Sequence, residues 1–578
     1  MAERGNKAQQ ELASIRDTIE SIWVAIVLAF VLRGFVVEAF VIPTGSMAPR
    51  LYGKHWDLQC PACGYEYAFG WSSDQEHGEG GPLSAPSGQG RRLAAQVPEG
   101  AECPSCRHDL PPKRPVSGGD RVLVMKYLYR FREPEPWDVV VFKNPQDNIQ
   151  NYIKRLIGLP GETLEIVHGD IFVSLDEGKT FRIRRKEKAK IQRAMWQVVF
   201  DNDYRPDPAA LARGNRGRDE ASRIHPPHWK PADGWDLTGL YGRRFAFKGG
   251  GGPAGGEAEL VLQARDDTFL PRYGYNVALD PRRDFESNVD VVTDLKLEAV
   301  YFADADDSRL ILTLSSFENV FRGEIGADGQ ARLLVRPGRP EGPWMPLAPP
   351  AGLGRLAPDR GHKVALTHVD FRVTLWVDGR AVLVSRDRTE KPPAGTTSYP
   401  MDYRLLKERL ARARADVDGV KVPQPTVKIA ALGGPCRLWH VKLMRDVYYT
   451  RLHFPQGPAN GSVGEVARAV GLRQGALGWA VEGNPITLEK HADRPDLDQF
   501  FVLGDNSPSS LDGRLWSRAA VTLRRKDSSG QWVYKLGTVP RYNLIGKAIF
   551  VYWPAGFCIP GLPRLPILPN VGKMRLVR

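Results

Sequence analysis

Long hydrophobic runs are nearly absent from this 578-residue sequence. One stretch near the N-terminus qualifies. The other apolar candidate, GFCIPGLPRLPILPNVG close to the C-terminus, carries too much proline for a spanning helix. At most one bilayer crossing is left. Also missing is any aromatic-basic motif of a nucleic-acid module. The net charge is +13, but the basic residues mostly interleave with acidic ones, as in RRKEKAK. No nucleic-acid partner is therefore expected, and solvated surface charge or an anionic lipid surface remains. A disorder-type composition is absent too: 42% of residues are hydrophobic and 25% charged, as in ordinary folded protein. Cysteine is scarce. Of six, Cys436 and Cys558 stand alone and receive no role.

What is present is turn formers, 58 Gly and 46 Pro, which point to a mainly β architecture. The length exceeds what one core usually organises and implies two or three domains. The apolar run IWVAIVLAFVLRGFVVEAFVIP is interrupted by Arg33 and Glu38. With Arg33 snorkelling it reaches the length of a spanning helix. A cleaved signal peptide fits less well, because no small-x-small site follows. The expected layout is a cytoplasmic head over residues 1–17, an anchor over 18–38, and the rest outside the cytoplasm. Arg4, Lys7 and Arg16 in the head set this orientation.

Beyond the run comes FVIPTGSMAPRL, where Pro43 and Gly45 bracket Thr44 and Ser46. A turn there presents a hydroxyl together with backbone N–H groups, which a nucleophile and an oxyanion hole both need. By itself it also reads as an ordinary membrane-proximal turn. Much later, in NYIKRLIGLPGETLEI, Lys154 lies in an apolar strand-like run. Burial there would lower its pKa and free the amine as a base. A lysine snorkelling from a half-buried strand is the alternative.

The apolar segment, IPTGSM, GDRVLVMKYLYRF, PWDVVVFKNP, YIKRLIGLPGE, FVLGDNSPSSLDGR and VPRYNLIGKAIFVYWP follow one another in that order. Together they resemble the bacterial type I signal peptidases, membrane-bound serine endopeptidases of the plasma membrane. The resemblance implies removal of N-terminal signal peptides from secreted preproteins, with small residues at −1 and −3 and no catalytic cofactor. It assigns Ser46 as nucleophile, Lys154 as general base, Thr44 as oxyanion donor and Ser510 as the hydroxyl that orients the lysine. Arg155, Asp505, Asp512 and Arg514 fall at supporting positions. Phe40, Ile42, Met47, Leu51 and Ile153 match the apolar lining of the substrate pockets, and equally suit core packing. Arg50 departs from the family, which commonly has threonine there.

Two C-P-x-C pairs, Cys60/Cys63 and Cys103/Cys106, stand between nucleophile and base. They suit a four-thiolate structural zinc within a zinc-ribbon-like insert over 56–112; two disulfides are the alternative outside the cytoplasm. The peptidase core is expected over 39–195 and 451–578. Between them, 196–450 alternates like a β-sandwich with Gly, Asp and Pro turns. HVDFRVTLWVDGRAVL, with its VDG hairpin, resembles laminin-G or concanavalin-like (jelly-roll, lectin-like) domains. That resemblance implies a glycan or protein ligand. DYRLLKERLARARADVDG reads as an exposed amphipathic helix decorating the sandwich. Because every residue given a chemical role lies outside 196–450, the insertion is expected to be an independent accessory unit.

Overall fold

The computed structural model describes residues 16–27, 36–70, 102–109, 117–216, 225–230, 233–250, 256–265, 268–271, 275, 289–338, 342–415, 421–451, 478–523, 534–554 and 571–577. Residues 16–27 are helical, and 28–35, the middle of the expected anchor, lie outside the described residues. No helix among the described residues is long and apolar enough to cross a membrane. The expected anchor also runs too far: Val37 and Glu38 belong to a strand, Val37–Val41, paired with Val124 and Met125.

That strand opens an eight-stranded antiparallel sheet. Its order is Val37–Val41, Arg121–Met125, Leu544–Trp553, Val139–Lys143, Asn151–Gly158, Gln499–Leu503 and Val539–Pro540, with Arg575–Leu576 against Leu544–Trp553. Chain segments from both sides of the long insertion thus interleave in one sheet. Val122, Val124, Val139, Val141, Ala548 and Val551 form the apolar layer on one face, joined by Ile42, Met47 and Leu51. A smaller sheet of Ile486–Thr487, Thr163–Val167, Asp170–Ser174 and Arg182–Ile183 lies next in the chain path.

The insertion is a sandwich of two further eight-stranded sheets. One centres on Cys436–Arg445, Leu295–Ala303 and His362–Val369; the other on Val427–Leu432, Arg309–Ser316 and Asn319–Gly326. Leu295–Ala303 alternates buried and half-buried residues along its whole length, so one face enters the core and the other stays wet. The VDG turn is a two-residue hairpin loop between Val377 and Arg380, with Asp378 at φ 49° and Gly379 at φ 78°. Both central residues left-handed is what the right-handed twist of the flanking strands favours.

The insertion is not an appendage, which corrects the expectation of independence. Val167 and Phe172 of the small sheet are buried in the same apolar core as Leu297, Phe321 and Leu366 of the sandwich. Buried Lys186 bridges to Asp370 at 2.6 Å and Asp446 at 2.9 Å. The helix Tyr403–Arg414, expected as exposed decoration, buries Leu406, Leu410 and Ala413. From the flank of that stripe Lys407 reaches Glu165 at 2.9 Å and Arg414 reaches Glu482 at 2.7 Å. Its apolar stripe packs into the sandwich while Lys407 and Arg414 pair with carboxylates outside the insertion, so it ties the two together.

Candidate active site

Ser46 sits in a single 3-10 turn, Gly45–Met47, immediately after the first strand. Such a short turn leaves its leading N–H groups without partners inside the helix. Asn506 grips the turn from the far end of the chain: its backbone N–H donates to Ser46 O and its Nδ2 to Gly45 O, both at 3.0 Å. The turn is therefore held through its main-chain carbonyls, and Asn506 makes no claim on the Ser46 hydroxyl. Thr44, at the N-cap, is exposed and makes no capping hydrogen bond.

Lys154 and Arg155 are adjacent on Asn151–Gly158 and both are buried. Alternation sends them to opposite faces, and they meet opposite surroundings. Arg155 makes a two-pronged contact to Asp505, Nε to Oδ1 at 2.6 Å and Nη2 to Oδ2 at 2.5 Å, with Nη1 donating to Trp137 O at 2.8 Å. Burial alone would lower its pKa, but Asp505 outweighs burial and keeps it charged. Lys154 has no carboxylate in contact. Its Nζ lies 2.5 Å from Ser46 Oγ. Burial pulls its pKa down to about 8, against a weaker upward pull from Asp512.

Behind the lysine, Arg514 donates to both oxygens of Asp512, at 2.9 and 2.8 Å, and to Ser507 Oγ at 2.7 Å. Burial would raise Asp512, yet Arg514 holds it below the usual carboxylate range. Asp512 in turn accepts from Gly504 N at 2.9 Å and so fixes the loop between Leu503 and Ser510. Ser510 is fully buried with no hydrogen-bond partner for its Oγ, so the bond expected from it to the lysine amine is not made. It packs instead against Gly504, where a Cβ would come within 2.1 Å of the hydroxyl.

Ile42, Met47 and Leu51 are core residues, while Phe40 and Ile153 at the edge of the same cluster remain half-buried and able to face a substrate. Val139 and Val577 of this cluster line a cavity of about 520 Å³ together with Trp137, Lys188 and Ile191. Arg50 does not reach the dyad. Its Nη2 donates to Trp196 O at 2.9 Å, and burial lowers its pKa to about 10. Asn506 and Thr450 were missed from sequence. Asn506 stands in the quoted GDN motif, a signal that was there to use; Thr450, whose N–H donates to Ser507 Oγ at 2.8 Å, has no local signature.

The four cysteines converge. All are buried and free, with thiol sulfurs within 4.8 Å of one another. Cys60–Cys106 is 3.5 Å and Cys63–Cys103 3.8 Å. These are not disulfide lengths; they match the edge of about 3.8 Å that a tetrahedron with zinc–sulfur bonds of about 2.3 Å requires. Each pair caps a tight turn, with Gly64 N donating to Cys60 O and Arg107 N to Cys103 O. The set is compatible with a structural metal and is separate from the dyad.

With this geometry in place, the comparisons with known proteins converge on the core. The family described as signal peptidase, peptidase S26, matches residues 112–212 and 488–553. Lys154 and the Asp505–Arg514 loop lie inside the matched segments, and Ser46 lies before the first. A signal peptidase I of Rickettsia typhi is 24% identical over 161 residues, 28% of this chain and 44% of that protein. One of Rickettsia massiliae is 25% identical over 149 residues, 26% of this chain and 39% of that protein. The chain spans under half the length of these relatives. Its two matched segments are thus similar to the core of the signal peptidase, peptidase S26, family, with a β-sandwich insertion between them. Among solved structures, a carbohydrate binding module, CBM66, of Bacillus subtilis is similar at a TM-score of 0.21 and 9% identity, covering 37% of this chain and 94% of that one. At that score the likeness carries no further argument.

Proposed function

We propose that this chain is a membrane-bound serine endopeptidase of the signal peptidase I kind, removing signal peptides from secreted preproteins after small residues at −1 and −3. The observation that carries the reading is the buried Lys154 amine, 2.5 Å from Ser46 Oγ and shifted down to about 8. Neutral Lys154 accepts the Ser46 proton as Oγ attacks the scissile carbonyl carbon. The Thr44 hydroxyl and the Ser46 N–H donate to the developing oxyanion. The C–N bond then breaks, Lys154 returns its proton to the leaving amine, and the acyl group stays on Ser46. A water, deprotonated by Lys154, attacks the ester; the acid leaves and Ser46 is regenerated.

Phe40 and Ile153 are the apolar surfaces left for the small −1 and −3 side chains, backed by Ile42, Met47 and Leu51. Cys60, Cys63, Cys103 and Cys106 would hold a structural zinc that braces the insert and takes no part in bond cleavage. The N-terminal apolar segment serves as a single-pass anchor in a bacterial plasma membrane, with the catalytic domain outside the cytoplasm and the basic surface near anionic lipid. The sandwich would take a glycan or a protein ligand. The test is cleavage of a preprotein by the purified chain. Wild type should process it, and Ser46→Ala and Lys154→Ala should each lose at least about a thousandfold while keeping the wild-type melting transition. Processing by either variant at the wild-type rate overturns the assignment.

A further inference from the structure

Gly45, beside the nucleophile, has no room for a side chain, and the obstruction comes from the insertion. A Cβ on Gly45 would lie 2.3 Å from Tyr275 Cε1 and 2.6 Å from its Oη. Gly45 does not occupy the left-handed region, so the Tyr275 ring, not the backbone angle, is what excludes a Cβ there. Tyr275 is 4% exposed and packs with Ala48 and Ala68. Its ring stacks on Tyr52 with centroids 5.7 Å apart and planes at 26°. Its carbonyl accepts from Gly70 N at 2.7 Å, at the end of the strand Glu66–Gly70 that leads from the cysteine turn. One residue of the sandwich insertion therefore touches the nucleophile turn and the cysteine hairpin together.

We propose that Tyr275 is a positioning residue for Ser46: the hydroxyl end of its ring, set against Gly45, completes the grip that Asn506 makes on the turn's carbonyls and fixes the aim of Oγ at Lys154. The inference rests on reading Ser46 as the nucleophile. It makes the insertion part of the active-site scaffold, not a passenger. The Cε1–Cζ–Oη end of the ring is what meets Gly45, and the hydroxyl is itself held by the Gly53 backbone and lies 3.4 Å from Lys54 O. Nothing in the contact touches the groups around Lys154, so the lysine's titration should be indifferent to the ring.

The experiment uses the full-length protein and a preprotein substrate. Tyr275→Ala should lower kcat on the order of tenfold to a hundredfold by loosening Oγ, with KM and the pH midpoint unmoved. Tyr275→Phe, which keeps the ring, should recover kcat to within about twofold. Gly45→Ala should be damaging in the wild-type background and add nothing once Tyr275→Ala has cleared the space, a reciprocity that general loss of packing would not give. Wild-type kcat in Tyr275→Ala, or losses that simply add in the double variant, overturns the proposal. Should Tyr275→Ala not fold, Tyr275→Leu decides: it fills part of the volume but is too short to reach Gly45 as the ring end does, so a reduced kcat with a native melt supports the inference and an unchanged kcat sinks it. If instead wild type and Ser46→Ala cleave equally, the nucleophile reading itself has failed. If Ser46→Ala is silent while Tyr275→Ala matches wild type, only the Tyr275 inference has.

Discussion

Leu295–Ala303 in the sandwich alternates buried and half-buried positions throughout, whereas Asn151–Gly158 in the core is buried without a break from Lys154 to its end. On the sandwich strand, charges sit on the wetter face and pair there: Glu298 with Lys296 at 2.5 Å and with Lys363 at 2.9 Å. Such pairs keep access to water, and losing one costs little. On the core strand, consecutive cations have both left water. Burying a charge is expensive unless a partner compensates. Arg155 receives Asp505 and stays charged; Lys154 receives a hydroxyl and is pushed towards neutrality. A strand buried on both faces can thus push one of its lysines towards neutrality, which Leu295–Ala303, with one wet face, does not do.

The hardest test of that contrast is to forbid neutrality. Lys154→Arg keeps the shape of a long cation but cannot give up its proton at any working pH. Its processing rate should fall at least about a thousandfold and should not recover between pH 7 and pH 10, a range of about three units. Recovery at alkaline pH would mean that another group is the base.

Next in size is the partner of the other cation. Asp505→Asn leaves Arg155 charged, buried and uncompensated, and should cost about 3–5 kcal/mol in urea unfolding. Glu298→Gln, its counterpart in the sandwich, should cost within about 1 kcal/mol because both lysines turn to water. Equal costs would erase the distinction between the two regions.

The pH profile gives a smaller, graded effect. With Lys154 titrating at about 8, kcat/KM should fall about tenfold per unit below that value and level off above it. The sign for stability follows separately. A lysine depressed in the folded state holds fewer protons than in the unfolded chain between its folded and its ordinary pKa. Its contribution therefore improves as pH rises from about 8 towards the ordinary lysine value, and is a constant penalty below about 8. Lys154→Met should remove that slope.

How legible this was depended on distance along the chain. The turn around Ser46, the apolar run around Lys154 and the cysteine pairs are local patterns whose chemistry follows from adjacent residue types. The alternation of Leu295–Ala303 and the VDG turn are local too. What could not be read is contact between remote segments, because neither partner changes the pattern around the other. Tyr275 lies far from Gly45 in sequence and carries no mark of its destination. The helix Tyr403–Arg414 showed an apolar stripe, but its polar residues gave no sign that Lys407 and Arg414 would end on carboxylates outside the insertion. The insertion therefore read as separable when it is packed into its host.

Ser510 carries the smallest expected effect, and it separates family likeness from geometry. The likeness assigns its hydroxyl to the lysine amine, whereas here the hydroxyl is fully buried and unpaired. An unpaired buried donor is a cost to the folded state, so deleting it removes a penalty along with any benefit. Lys154 is already held by its enclosure and by Ser46 at 2.5 Å. Ser510→Ala should accordingly change unfolding free energy by less than about 1 kcal/mol and kcat by less than about tenfold. The methyl group fits the space beside Gly504, where the hydroxyl now sits closest. A loss nearer a hundredfold, with stability unchanged, would mean that the hydroxyl swings onto the amine once substrate is bound, and that the free dyad differs from the working one by that single rotation.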